Sequence, residues 1–428
     1  MLVGNNNKSA STNKKPYSQQ KEARQQNMSS LLRDLWHHSP LSKAMLAQRN
    51  GLTKGTVSSL CKDLAAQGLI CNIGQDRSRL GRPGDLITLN PSARCAIGVE
   101  ISTNYVAAVL TDLCGQPLWQ SSAPIDIGSV QEVILTQAEG LIVEAIDQVR
   151  VHAIPLLGIG VGVPGVVNHR VNAPALGWKE VHLKQIWEQR FSLPVTVDNK
   201  ARAAAMVEAL HGSARDATSF VYVSIGTDVR SSVEAAVVAD SFLYRGAHGR
   251  AVDAGHMVLD PHGPLCVCGQ RGCWQAMVDV DREVELARQR LEAGAASVLQ
   301  AYAADGYAKL EHRAIHQAAV EGDPLALEVA SAVIMNHAPG IVNLVLLFDP
   351  QMVVIGWETM VLPPAYTARM HLMDTLPEFN IAHAVCEQLA RRGVTPPQIV
   401  HAALDPEVVM LGAAALLVDE FLRAPQDT

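Results

Sequence analysis

The chain has 428 residues, 48% of them apolar and 18% charged, which is more than one hydrophobic core usually serves and too apolar to be mainly disordered. Its formal net charge of −7 argues on its face against nucleic acid as a partner. The average hides a division, because residues 1–90 hold 13 Lys and Arg against 5 Asp and Glu, a balance of +8, and the remainder holds 22 against 37, a balance of −15. A basic head on an acidic body points to a small polyanion-binding unit joined to a second unit with a different task.

Residues 1–27 are Asn, Ser, Lys and Gln with almost nothing to bury, and read as a flexible basic arm. Over 28–90 three short helices and a hairpin are expected. The first carries Leu31, Leu32, Leu35 and Trp36 at helical spacing and breaks at Ser39-Pro40. Ser42 caps the second, which ends at Asn50-Gly51, and Thr53 caps the third, which places Val57, Leu60, Cys61 and Leu64 on one face. Two short strands then flank a Gly- and Arg-rich tip. This order is that of a winged helix-turn-helix, in which the third helix enters the major groove of double-stranded DNA. Lys54, Thr56, Ser58 and Ser59 stand at the start of that helix, with Lys62 a turn later, and Arg77, Arg79 and Arg82 stand on the wing. Small polar groups and Lys can reach bases or phosphates, and arginines on a narrow tip suit phosphates or the minor groove.

From Cys95 the texture changes to buried strands alternating with helices, the pattern of α/β layers. Strands are expected over Cys95–Ile101, Val106–Leu110, Leu156–Val163, Phe220–Ile225, Val233–Val238 and Met352–Ile355. Helices are expected over about 128–151 and 199–210, over most of 276–347, and over 408–422. The two similar strand-pair starts near 95 and 218 suggest two related lobes with a cleft between them. No stretch reaches about 18 uninterrupted apolar residues. The first fifteen residues lack a signal-peptide core, so a cytoplasmic protein without membrane association is expected.

Three of the eight cysteines, Cys266, Cys268 and Cys273, fall within eight residues of one another, which favours metal over disulfide. With His256 they make three thiolates and one imidazole, a closed tetrahedral set of the structural Zn2+ kind. His262 is nearer in sequence and stands as the other choice for the fourth donor.

The winged helix, the Gly81-Arg82-Pro83 wing, the two-lobed α/β body and Gly255-His256 ahead of Cys-x-Cys-Gly-x-x-Gly-Cys resemble the ROK family (repressors, open reading frames and sugar kinases). The arrangement is similar to its transcriptional repressors of the NagC, Mlc and xylose-repressor kind, over roughly residues 28–423. The resemblance implies an actin-like (ribonuclease-H-like) fold, with lobe 1 at 95–195 completed by a C-terminal helix at 405–423 and lobe 2 at 196–404 holding the zinc site. It also implies a sugar or sugar-derivative ligand, a DNA operator, and homodimers or homotetramers.

The kinase machinery of that family is not matched. Its first phosphate loop, Asp-x-Gly-Gly-Thr, reads Glu100-Ile101-Ser102-Thr103-Asn104, and its second, Gly-Thr-Gly-Val-Gly, reads Gly226-Thr227-Asp228-Val229-Arg230. Its adenosine Gly-Gly reads Gly356-Trp357, and its Asn-Asp pair, whose Asp is the general base, reads Asn199-Lys200. No catalytic residue is therefore assigned, since a charged Lys cannot accept a proton and loops without glycine keep the backbone from phosphate. The positions matching the family's sugar contacts are Asn199, Lys200, Asp253, His256 and Gln275. A Lys there favours an acidic sugar. The rival reading pairs Lys200 internally with Asp253 or Asp198. A kinase with an appended DNA-binding domain and a regulator controlled by a protein partner are the alternatives to a sugar-controlled repressor.

Overall fold

The computed structural model describes residues 16–76, 84–226, 233–358, 379–404 and 407–424. The chain divides into two units, one made of residues up to Ala93 together with the segment from Val418, the other of Arg94–Leu417.

The first unit starts with α1 (Pro16–His38), followed by β1 (Leu41–Ser42), α2 (Lys43–Arg49), α3 (Lys54–Ala66), β2 (Ile70–Asp76) and β3 (Gly84–Leu89). Helix α1 begins twelve residues before the expected start at Met28, inside the stretch read as a flexible arm. Gln, Lys, Glu and Ala are good helix formers, and a helix nucleated by the buried Leu31, Leu32 and Leu35 extends through them. Ser42 and Thr53 cap α2 and α3 as expected, each accepting the amide three residues on. Val57, Leu60, Cys61 and Leu64 form the buried stripe of α3. The three strands pair in the order β1-β3-β2, with β2 and β3 antiparallel out to Asp76 and Gly84.

The second unit holds two five-stranded sheets of one design. The first contains β4 (Cys95–Ile101), β5 (Tyr105–Asp112) and β6 (Pro117–Pro124). Helix α4 (Gln131–His152) follows, then β7 (Leu156–Val163). A small sheet comes next, β8 (Val166–Val167), β9 (Val171–Ala173) and β10 (Trp178–Val181), then α5 (Leu183–Phe191), β11 (Val195–Asn199) and α6 (Lys200–His211). The second large sheet begins with β12 (Phe220–Gly226), β13 (Val233–Ala239) and β14 (Phe242–Leu243). Helices α7 (Trp274–Met277), α8 (Val280–Glu292), α9 (His312–Val320), α10 (Pro324–Ile334) and α11 (His337–Phe348) come next. The chain then runs through β15 (Met352–Glu358), α12 (Ile381–Ala390), β16 (Gln398–His401) and α13 (Val408–Arg423).

The sheet orders are β11-β7-β4-β5-β6 and β14-β13-β12-β15-β16. In each, the first strand pairs antiparallel with the next and parallel with a later one, as β4 does with β5 and β7, and β12 with β13 and β15. This is the repeated two-lobed α/β architecture expected. Strand β11 belongs to the first sheet through Asn199, so that sheet reaches four residues past the boundary expected at 195. The apolar run Pro324–Phe348 is long enough to cross a membrane by length and composition. Its Ala326, Ala330, Val333, Ile341 and Val342 sit in the core of the second sheet.

Close backbone contacts pack α13 against the first sheet. A Cβ at Gly98 would lie 2.0 Å from the Met410 carbonyl oxygen, and one at Gly160 would lie 1.9 Å from that of Ala413. Helix α13 in turn meets α6, where a Cβ at Gly412 would lie 1.9 Å from the Ala203 carbonyl oxygen. Only glycine allows such approach, so Gly412→Ala is expected to lower stability by about 1–3 kcal/mol, the cost of overpacking. Urea unfolding of the variant measures it.

Candidate functional site

On α3, Lys54, Ser58, Ser59 and Lys62 are exposed on the side away from the buried stripe. Thr56 is half-buried, and its hydroxyl shares a 2.9 Å hydrogen bond with that of Thr53. The expected third-helix residues therefore share one solvent face, apart from Thr56 at its margin. Arg77, Arg79 and Arg82 lie outside the described residues. In the same unit Asp419 receives two arginines, Arg33 at 3.4 Å and Arg423 at 2.6 Å. Burial, reinforced by Arg33 and His38, pushes the nearby His37 imidazole down to about 4.

The cysteine loop gathers its donors. The ligand atoms of His256, Cys266, Cys268 and Cys273 all lie within 4.8 Å of one another. Cys266 Sγ is 3.6 Å from His256 Nδ1, and Cys268 Sγ is 3.6 Å from Cys273 Sγ. A tetrahedral thiolate site with metal–sulfur bonds of about 2.3 Å spaces its sulfurs by about 3.8 Å, so the set can hold a metal ion. Gly272, at φ +68°, makes the loop possible, because a Cβ there would lie 1.4 Å from the Asp260 carbonyl oxygen. Burial, with the neighbouring sulfurs, pushes the Cys273 thiol up to about 12. His262 is outside the cluster, and His256 contributes its fourth potential ligand atom.

The third feature sits where β11 runs into α6. Asn199 caps the helix, its Oδ1 accepting from the Ala201 and Arg202 amides and its Nδ2 donating to the Gly165 carbonyl at 2.9 Å. Lys200 is 2% exposed, and its Nζ lies 3.2 Å from Glu100 Oε1, itself 1% exposed. The same Nζ donates to Ser102 Oγ at 3.3 Å, and the Tyr105 hydroxyl donates to Glu100. Lys200 thus pairs with neither Asp198 nor Asp253. Asp198 instead receives Arg202 at 2.5 Å and Arg245 at 3.1 Å.

Beside this cluster lies a small, open-sided cleft. Asn199, Arg202, Glu234, Arg250 and Asp253 bring polar groups to its wall. Of the five expected ligand contacts, Asn199 and Asp253 are at the wall. Lys200, His256 and Gln275 are not among its lining residues. Sequence reasoning missed Glu100, Arg202, Glu234 and Arg250. A carboxylate in the wholly buried strand Cys95–Ile101 was the available signal for Glu100, since a buried charge demands a partner. Of the altered kinase segments, the Glu100–Asn104 turn is closed by the Ser102 amide donating to the Tyr105 carbonyl, and Thr227–Arg230 lies outside the described residues.

The sequence profile of the ROK family matches residues 96–420. This chain belongs to the ROK family. Among relatives of this ROK protein, a xylose repressor of Bacillus spizizenii is 32% identical over 58% of the chain and 64% of the relative. A glucokinase of Streptomyces coelicolor is 31% identical over 61% and 80%. The crystal structure of a ROK family transcriptional regulator, homologous to the Mlc protein of E. coli, superposes with a TM-score of 0.73. It covers 94% of this chain and 97% of its own at 23% identity, a likeness of fold.

Two outcomes follow from the geometry of this ROK body. Lys200→Met leaves Glu100 buried without its cation and is expected to cost about 3–5 kcal/mol of stability, with most recovered when Glu100→Gln is added. Denaturant unfolding of the single and double variants checks the coupling. Cys268→Ser is expected to reduce bound metal in the purified protein, read by atomic absorption.

Proposed function

We propose that this ROK protein is a DNA-binding transcriptional regulator, a repressor of carbohydrate-related genes, and that it has no kinase activity. The carrying observation is the union in one chain of two features. One is a three-helix winged unit whose third helix turns Lys54, Ser58, Ser59 and Lys62 to solvent. The other is a ROK body whose general-base position is held by Lys200, ion-paired to Glu100 where the phosphate loop should begin. An ammonium held by a carboxylate cannot take a proton from a sugar hydroxyl.

In this reading Lys54, Thr56, Ser58, Ser59 and Lys62 contact the operator, with Arg77, Arg79 and Arg82 on the wing. The cleft takes a sugar or sugar derivative, with Asp253 accepting hydroxyl protons and Asn199 and Arg250 donating. An acidic ligand would be read by Arg250, because the charge of Lys200 is cancelled by Glu100. The ion at His256, Cys266, Cys268 and Cys273 is Zn2+ in a structural role. The protein acts in the cytoplasm as a homodimer or homotetramer, whose paired heads read two half-sites and respond to a ligand that favours one spacing. The 31% identity to a glucokinase is the observation behind the second reading, a sugar kinase with an added head.

Selection of duplexes from a random pool by the purified protein is expected to enrich paired half-sites, and Lys54→Ala is expected to weaken their binding. A coupled ATP assay with glucose and xylose is expected to show no turnover. Turnover would establish the kinase reading, and failure to enrich any duplex would end the regulator reading.

A further inference from the structure

The N-terminal half of α1 is exposed over Lys21–Gln26. One of its side chains reaches another helix. Arg24 Nη2 donates to Ser59 Oγ at 3.3 Å and forms an ion pair with Asp63, 35 and 39 positions down the chain. Asp63 is the one acidic residue of α3, and it lies one turn beyond Ser59 and next to Lys62. A bare carboxylate there would stand on the edge of the face offered to DNA. At physiological salt, charge is felt over about 8 Å, so it would oppose phosphates approaching Ser59 and Lys62.

We infer that Arg24 is a positioning residue of the DNA interface: it neutralises Asp63 and holds the Ser59 hydroxyl, so that this edge of α3 accepts phosphate instead of repelling it. The inference rests on the DNA-binding reading above. The pair is a surface one, with Arg24 and Asp63 side chains 46% and 41% exposed, so it contributes little to folding and its removal leaves the unit intact. Its effect belongs to binding, where a dense row of phosphates meets the uncompensated charge.

The test uses the full chain and a fluorescein-labelled mixed-sequence duplex, titrated by anisotropy between about 50 and 200 mM KCl. Arg24→Ala is expected to weaken binding about two- to fivefold, the effect of one screened charge pair. Arg24→Lys should keep most of the affinity, and adding Asp63→Asn to Arg24→Ala should restore it. Thermal unfolding should stay unchanged throughout. Unchanged affinity in Arg24→Ala, or a loss that Asp63→Asn does not restore, overturns the inference. A wild-type protein that binds no duplex even at the lowest salt overturns the DNA-binding reading itself, and the inference with it.

Discussion

The body is organised around a buried ion pair. Lys200 and Glu100 are both almost wholly withdrawn from water, and removing a charge from water costs several kcal/mol per ion unless a partner and further hydrogen bonds offset it. Here the offset comes from each other, from Ser102 and from Tyr105. The pair fastens the C-terminal end of β4 to the first turn of α6. It thereby sets the neighbours of that turn, with Asn199 capping it and Asp198 held between Arg202 and Arg245. Asn199 and Arg202 of that turn stand in the cleft wall.

The packing around α6 and α13 follows a different rule. Gly98, Gly160 and Gly412 let backbones meet where any side chain would collide, and Ala203, Ala413 and Ala414 complete the seam. Such a seam is stiff, since close-packed interiors shift between discrete arrangements and do not deform smoothly. A helix whose first residues border the cleft and whose flank lies against α13 is well placed to register a change there.

Much of this was legible in the chain. Strands Cys95–Ile101 and Leu156–Val163 stood out as short, largely apolar runs, and the caps Ser42 and Thr53 were visible because capping is a local hydrogen bond. The gathering of Cys266, Cys268 and Cys273 was readable because the three thiols are neighbours in sequence. What escaped depends on distance along the chain. Strands β8 to β10 are two to four residues long, too short to carry a period. Lys200 was recognised as out of place, but its partner lies a hundred positions away, beyond any local pattern. Residues 16–27 looked structureless because their sequence holds almost nothing to bury, and a helix extended from a neighbouring core leaves no apolar stripe to read.

The unit that carries the winged helix is closed by the far end of the chain, with Asp419 of α13 meeting Arg33 of α1. In terms of connectivity, the ROK body is an insertion within the head and not an appendix to it. Synthesis from the N-terminus therefore delivers the helices of the head first and Asp419 last, after the whole body has emerged. The head reaches its complete set of contacts only once the body has been made, so a chain interrupted before α13 lacks the carboxylate that the head itself uses.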